Sequence, residues 1–408
     1  MITLVLPWFG PDSAGGAEAQ ARDLARTLHA AGYPVRVWAS TGRDSFQPGE
    51  PGQPNGTRPH YPSGHSDLDG LPVWRFRPAP AGPDHLPRFF AERPELLPPL
   101  DAFAPHELAL LGSLLGSDEL YAAIWAARDD ADNRFVFLPY PFPTTFWGTL
   151  LAPQRSYLLA CLHDEPYARY ATYRHMFGLA HGMLANSHPE AELARALYGL
   201  PAARICVAGE GVDLTPRGDG ERFRRKHGLG DTPLLLYAGR RDEGKNIPLL
   251  LAYAREYWAR RGGPLRLALM GAGSLDLAAA GYTPSMADLV LDLGFQGDQD
   301  KHDAYAAADV FIQPSLYESF SIVLMEAWLQ GAPALVHAGC AVTADHARRS
   351  GGGLAFGSFG EFAAALDLLL DRPAMRRTLG ARGRAYVLET CDWETVARRT
   401  AGFVLSDT

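Results

Sequence analysis

Two stretches of the chain carry charges at spacings that could do chemistry. ESFSIVLME places Glu318 and Glu326 with an apolar run between them, and AGRRDEGKN supplies Arg240 and Lys245. A guanidinium fork and an ammonium at the mouth of one crevice suit a diphosphate, and a carboxylate can accept from the two hydroxyls of a ribose. The helix carrying Glu326 is expected to begin at Ser319 or soon after, with Ser319 as its cap. Glu318 then lies in the preceding loop, and the amides of Ser319, Phe320 and Ser321 form an anion site of the kind helix N-termini provide. Helix-capping electrostatics alone would account for Glu318 but not for Glu326, which is flanked by Ile322, Val323, Leu324, Met325, Ala327 and Trp328.

Other candidates stand where short apolar runs give way to helical patterns. MGAGS (270–274) reads as a glycine turn, and Gly294 with Phe295 stands where backbone groups could meet the edge of a nucleobase, although Phe295 equally suits packing. Gly15 and Gly16 form either a phosphate or sugar loop or a plain tight turn. His163, at the end of YLLACL, could donate to a sugar hydroxyl or stabilise developing charge, though a lone histidine is more often structural. Three DxD pairs, Asp67/Asp69, Asp130/Asp132 and Asp298/Asp300, read as chance in acidic loops, so no metal site is assigned.

The elements that must position these residues come in two series. Strands are predicted over 2–6, 35–39, 73–76, 134–138, 157–162 and 182–186, then over 234–237, 265–270, 289–293, 310–313, 333–337 and 353–356. Amphipathic helices alternate with them, among them 17–31, 247–261 and 359–370. Continuous apolar strands separated by helices imply parallel sheets covered on both faces. In such sheets ligands lie outside the carboxyl ends of the strands, where the candidates are found. The Pro- and Gly-dense segment 47–70 reads as a long surface loop. Apolar periodicity lapses at 208–220, which sets the expected domains at 1–208 and 209–389, with a last helix over 390–408.

Composition narrows the function classes. At 408 residues the chain exceeds one ordinary core, and 47% hydrophobic with 21% charged residues is a globular profile. A net charge of -8 gives no global field for nucleic acid. No uncharged apolar run approaches the roughly 18 residues of a membrane span, no leader pattern opens the chain, and four scattered cysteines suggest neither disulfides nor zinc. A cytoplasmic location is expected.

Taken together, GGAE (15–18), HDE (163–165), ANSHPEAELARALYG (185–199), AGRRDEGKN (238–246) and ESFSIVLME (318–326) resemble family 4 of the retaining glycosyltransferases over nearly the whole chain. The resemblance implies the GT-B architecture, two Rossmann-like doubly wound α/β domains facing a central cleft. It also implies transfer of a hexosyl unit from a nucleotide-diphosphate sugar to a hydroxyl acceptor, in glycan, polysaccharide or glycolipid biosynthesis of the cell envelope. By position, Arg240 and Lys245 would hold the diphosphate, Glu326 the ribose, Glu318 the donor sugar and His163 the sugar from the first domain. Gly15, Gly16, Gly294, Phe295, Ser319, Phe320 and Ser321 would complete the donor site. No metal and no cofactor beyond the donor co-substrate is expected, the last helix would return to the first domain, and the acceptor would be a sugar, a lipid-linked glycan or a small molecule, with weak peripheral membrane contact and no nucleic acid. Two departures stand out: the family commonly has Gly where Ser319 and Ser321 stand, and HAGCAVTADHARRSGGG replaces a short glycine pair. The competing reading is a noncatalytic nucleotide-sugar binder. A dehydrogenase would need a full GxGxxG where GAGSLD stands, and a phosphorylase would need pyridoxal phosphate.

Overall fold

The computed structural model describes residues 1–406 apart from Asp242 and Ser274, and leaves out the side chain of Glu243. One residue of AGRRDEGKN, the last of MGAGS and the end of the expected 390–408 helix therefore lie outside the described residues. The chain divides into one unit of residues 1–211 with 393 onward, and a second of residues 212–392.

The first unit is built on β1 (Ile2–Val5), β2 (Val35–Ser40), β3 (Gly64–Leu68), β4 (Leu71–Phe76), β5 (Arg134–Phe137), β6 (Ser156–Leu159), β7 (Gly182–Ala185) and β8 (Ile205–Val207). They form one sheet in the order β3-β4-β2-β1-β5-β6-β7-β8, with every neighbour parallel except β3 on β4. Side chains alternate between two covered faces, which is why these strands read as continuous apolar runs. Phe135 and Phe137 enter the core with Trp147 and Phe90, while Val136 points to the other face with Ile2 and Leu4. That second face is closed by the helix Gly16–Ala30 and by the last helix, Trp393–Val404, whose Val396, Ala397, Ala401 and Val404 bury against Ala21, Leu24 and Leu28.

Three sequence expectations for this unit need correction. Part of the expected 47–70 loop is strand: Gly64–Leu68 pairs antiparallel with β4 across Asp69 and Gly70, whose φ values of 55° and 85° fit the Asp-Gly hairpin turn. This polar edge strand has no apolar alternation to betray it. The strand expected over 157–162 stops at Leu159, because Cys161 adopts a left-handed φ of 54°. The short strand β8 occupies part of a segment from which no strand was expected.

The second unit has β9 (Leu234–Ala238), β10 (Arg266–Met270), β11 (Val290–Gly294), β12 (Val310–Gln313), β13 (Ala334–His337) and β14 (Gly353–Phe356). Its order is β11-β10-β9-β12-β13-β14, all parallel. Counted from β9 this is 3-2-1-4-5-6, the doubly wound Rossmann order, and its direction reverses between β9 and β12. Leu234 and Leu236 pack on one face with Tyr305, Leu324 and Trp328, while Leu235 and Tyr237 pack on the other with Leu251 and Phe362. No helix among the described residues is long and apolar enough to cross a membrane.

Candidate active site

The reversal point of the second sheet gathers the charges noticed first. Lys245, in a short turn after β9, extends its ammonium to Glu318 Oε1 at 2.7 Å, and both side chains are largely buried. Gln313, the last residue of β12, donates to the same oxygen at 2.8 Å and accepts from Ser321 Oγ at 2.8 Å. Asn246 joins the two loops by donating to the Pro314 carbonyl at 3.1 Å, while Tyr237 OH holds the Arg240 carbonyl at 2.7 Å. Residues from the ends of β9 and β12 are thus linked into one chain, Ser321–Gln313–Glu318–Lys245. A cation next to a carboxylate here can exchange partners when an anion arrives, since the ammonium sits on a flexible stem.

The helix expected from Ser319 begins instead at Ile322 and runs to Leu329. Ser319 is half-buried and does not cap it. The capping position belongs to Ser321, in a left-handed conformation with φ 84°, and its hydroxyl turns to Gln313 rather than to the helix amides. The first amides lacking intrahelical partners are therefore those of Ile322 and Val323. Phe320 is a core residue, its ring 5.2 Å from that of His346. The positive φ explains physically why a glycine suits position 321.

Glu326 lies on this helix and makes a second cluster. Its Oε1 accepts from Lys301 Nζ at 2.7 Å and its Oε2 from Tyr305 OH at 3.0 Å, both from the helix Asp298–Ala307. Burial lowers the Lys301 pKa, but Glu326 and Asp298 outweigh it and the net shift is upward. The buried Tyr305 hydroxyl is pushed well above its ordinary range by desolvation and by Glu326, so it donates throughout the physiological range. Sequence reasoning missed Lys301 and Tyr305. Their i, i+4 spacing on a helix is a signal, but only packing reveals its target.

Around β9, β10 and β11 the loops are sewn together by Arg241, another residue not singled out from sequence. Its guanidinium forks onto Asp292 and donates to the Leu269 carbonyl, while its backbone bonds Ala272 and Leu275. Asp292 is held below the usual carboxylate range by the Arg241 hydrogen bonds. Gly271 is required by contact, since a Cβ there would strike the Gly239 carbonyl. Beyond this stitch Gly294 ends β11 with φ 60°, and Phe295 is 81% exposed. An aromatic ring so open is not core packing.

In the first unit Gly15 precedes the helix Gly16–Ala30 with φ 139°, a conformation closed to other residues, and Arg22 ties the loop through the Gly10 and Ser13 carbonyls. His163 follows β6 after buried Ala160, half-buried Cys161 and buried Leu162, with its Nδ1 3.4 Å from Glu165 Oε2. Beneath it Glu190, which sequence reasoning had passed over, is fully buried and accepts from the amides of Leu162 and Asn186. Among the described residues no three His, Cys, Asp or Glu side chains are grouped to hold a metal ion.

Both units match known families. The family described as "Glycosyl transferases group 1" matches residues 219–386, and "Glycosyl transferase 4-like domain" matches residues 15–211. The chain belongs to the family 4-like, group 1 glycosyltransferases. A D-inositol 3-phosphate glycosyltransferase of Catenulispora acidiphila is 30% identical over 58% of this chain and 58% of its own length. That of Rhodococcus erythropolis is 30% identical over 52% of this chain and 48% of its own. The chain thus spans about half the length of these relatives. Among solved structures, sucrose-phosphate synthase from Thermosynechococcus elongatus superposes with a TM-score of 0.71 at 21% identity, covering 98% of this chain and 97% of that one. Anabaena HepE in complex with UDP gives 0.70 at 15% identity, covering 99% and 100%. Such likeness identifies the GT-B fold.

Proposed function

We propose that this member of the family moves a hexosyl unit from a nucleotide-diphosphate sugar to a hydroxyl acceptor with retention and without a metal ion. The observation that carries the reading is the Lys245–Glu318 pair at the reversal point of the second sheet. A diphosphate would draw Lys245 and Arg240 to itself, releasing Glu318 to accept from the transferred sugar. Glu326 is proposed to accept from the ribose, and Gly294 with Phe295 to face the base. His163 is proposed as the sugar contact of the first unit, with Gly15 and Gly16 beside the phosphates or sugar.

As the glycosidic bond breaks, charge collects on the diphosphate and the sugar becomes oxocarbenium-like. Cations drawn onto the diphosphate and helix amides facing it would lower the barrier, each well-placed donor by about 3 kcal/mol. The departing phosphate then takes the acceptor proton on the same face. This dispenses with a covalent nucleophile.

The relatives named as D-inositol 3-phosphate glycosyltransferases make a phosphorylated cyclitol the first acceptor to try, and the HepE complex makes UDP the first nucleotide. The experiment is release of nucleoside diphosphate from uridine, guanosine, adenosine and thymidine diphosphate hexoses, with and without acceptor. One base should be preferred, and exhaustive chelation should leave the rate unchanged. Loss of rate with chelator and recovery with magnesium or manganese would overturn the metal-free reading. Donor binding without turnover on any acceptor would favour a noncatalytic binder.

A further inference from the structure

The segment ANSHPEAELARALYG holds a buried polar group in the first unit, with Asn186, Ser187 and Glu190 all withdrawn from solvent. Glu190 has 1% of its surface exposed, and no cation pairs with it among the described residues. Taking a carboxyl that far from water costs several kcal/mol unless hydrogen bonds replace the lost solvent. Its Oε1 accepts from Leu162 N at 2.7 Å, beyond the end of β6, and its Oε2 accepts from Asn186 N, just beyond β7. Ser187 caps the same helix by accepting from Glu190 N at 3.3 Å. One side chain therefore clamps the backbone of two strand-to-helix junctions, and the residue after Leu162 is His163.

The clamp extends to a third junction. Gln20, on the helix opened by Gly15 and Gly16, donates to Asn186 Oδ1 at 2.7 Å, and Cys161 Sγ donates to Gln20 Oε1 at 3.5 Å. Gln20 and Asn186 are 3% and 2% exposed. Cys161 takes the left-handed backbone, φ 54°, that turns Leu162 N toward Glu190. A non-glycine residue there costs of order 1 kcal/mol and persists only where its surroundings determine it. The glycine loop, the His163 loop and the start of the helix His188–Tyr198 are thus fixed by one buried group.

We propose that Glu190, backed by Gln20, Cys161 and Asn186, is a positioning residue that sets the His163 loop relative to the glycine loop. The inference rests on the glycosyl-transfer reading for its effect on rate, but its geometric content does not. Glu190→Gln keeps the volume but sets an NH2, which cannot accept, against the backbone N–H of Leu162 or Asn186, whereas either oxygen of a carboxyl, ionised or protonated, keeps a lone pair that can. The His163 imidazole resonances should shift, kcat should fall roughly 10- to 100-fold as misplaced groups do, and donor affinity by calorimetry should stay within about twofold of the parent. Adding His163→Ala to Glu190→Gln should cost no more than His163→Ala alone.

Unmoved His163 resonances with a parental kcat in folded Glu190→Gln would overturn the proposal. So would equal losses in kcat and donor affinity. If His163→Ala alone leaves turnover intact while Glu190→Gln still shifts the imidazole, the reaction assigned to His163 fails and the positioning stands. Should Glu190→Gln not fold, Cys161→Gly takes its place, because glycine accepts the left-handed backbone and removes the thiol from the group. A smaller loss confined to kcat, with shifted imidazole resonances, is expected of it. Unchanged kcat and unchanged resonances would overturn the proposal there too.

Discussion

Cys161 in the first unit and Ser321 in the second both hold left-handed backbone near a candidate catalytic group, as Asn246 also does beside Lys245, and Cys161 and Ser321 are supported differently. Cys161, two residues before His163, leans on neutral amides and on a carboxyl bonded to backbone; Ser321, three residues after Glu318, leans on Gln313 and through it on an ion pair. Backbone amides cannot leave a buried carboxyl, so the first arrangement is a scaffold. An ammonium on a flexible stem can leave its carboxylate for a phosphate, so the second is exchangeable. The comparison assigns rigidity to the first unit and charge exchange to the second, and each assignment can be broken by substitution.

The largest effect is expected at the exchangeable pair. Lys245→Met should cut kcat/KM by about 100-fold or more, the scale for losing one preorganised donor. It should also destabilise the second unit by about 1 kcal/mol or more, since a largely buried Glu318 loses its ammonium and keeps the Gln313 amide. Adding Glu318→Gln should restore the melting temperature and not the rate. Recovery of both would make the pair a structural one.

Next comes the Glu326 cluster. Glu326→Gln should weaken nucleoside-diphosphate binding about 10-fold, near the value of a hydrogen bond to a charged group, and leave pyrophosphate binding untouched. Lys301→Met should weaken it in the same direction, because the carboxylate loses the partner that orients it, and the two should not add. Unaltered binding in Glu326→Gln would remove the ribose role. Additive losses would instead make Lys301 an independent contact.

How much of this could be read beforehand follows from how local each signal is. Arg240 with Lys245, and Glu318 with Glu326, stand out in the sequence as candidates because a strand-end loop, or a loop and the helix after it, carries each pair at short spacing; the structure brings Lys245 to Glu318 and sets Glu326 in a second cluster. Lys301, Tyr305, Gln313 and Arg241 acquire their meaning only when separate elements pack, and no spacing along the chain announces it. The parallel sheets were visible in apolar runs, whereas β3 was hidden by its polar edge, although Asp69 and Gly70 spelled its turn. The helix start was misplaced at Ser319 because a serine before an apolar run resembles a cap. The left-handed φ of Ser321 delays the helix by three residues, and a serine does not advertise that conformation.

The scaffold side is sharpened by pH. Burial pushes the Glu190 carboxyl up to about 8, although hydrogen bonds from Leu162, Asn186 and Ser187 pull it back. The unfolded chain releases this proton near pH 4.3, so between that pH and about 8 the native state holds more protons and stability falls as pH rises. One proton sets a limit of about 1.4 kcal/mol per pH unit, or roughly 3 °C for a unit of this size. Calorimetric scans from pH 5 to 8 should show the first unit's transition descending, and Glu190→Gln should flatten it. An equal slope in the variant would mean that the carboxyl is already ionised in the native state. Its amide bonds would then outweigh its burial.

The smallest effect tests the left-handed backbone at Ser321. Removing the hydroxyl strips a donor from the buried Gln313 carbonyl, which costs about 1 kcal/mol in Ser321→Gly and Ser321→Ala alike. The variants then diverge. Alanine keeps a Cβ where φ is 84°, whereas glycine relieves roughly 1–2 kcal/mol of that strain and loses about 0.5–1 kcal/mol to its greater freedom when unfolded. Glycine should therefore melt above alanine by roughly 2 °C, with both below the parent. The same ordering should hold at Cys161, whose φ of 54° puts glycine above alanine there as well. An alanine variant equal to or above glycine at either position would mean that the junction does not need left-handed backbone, and the parallel between the two units would end at that residue.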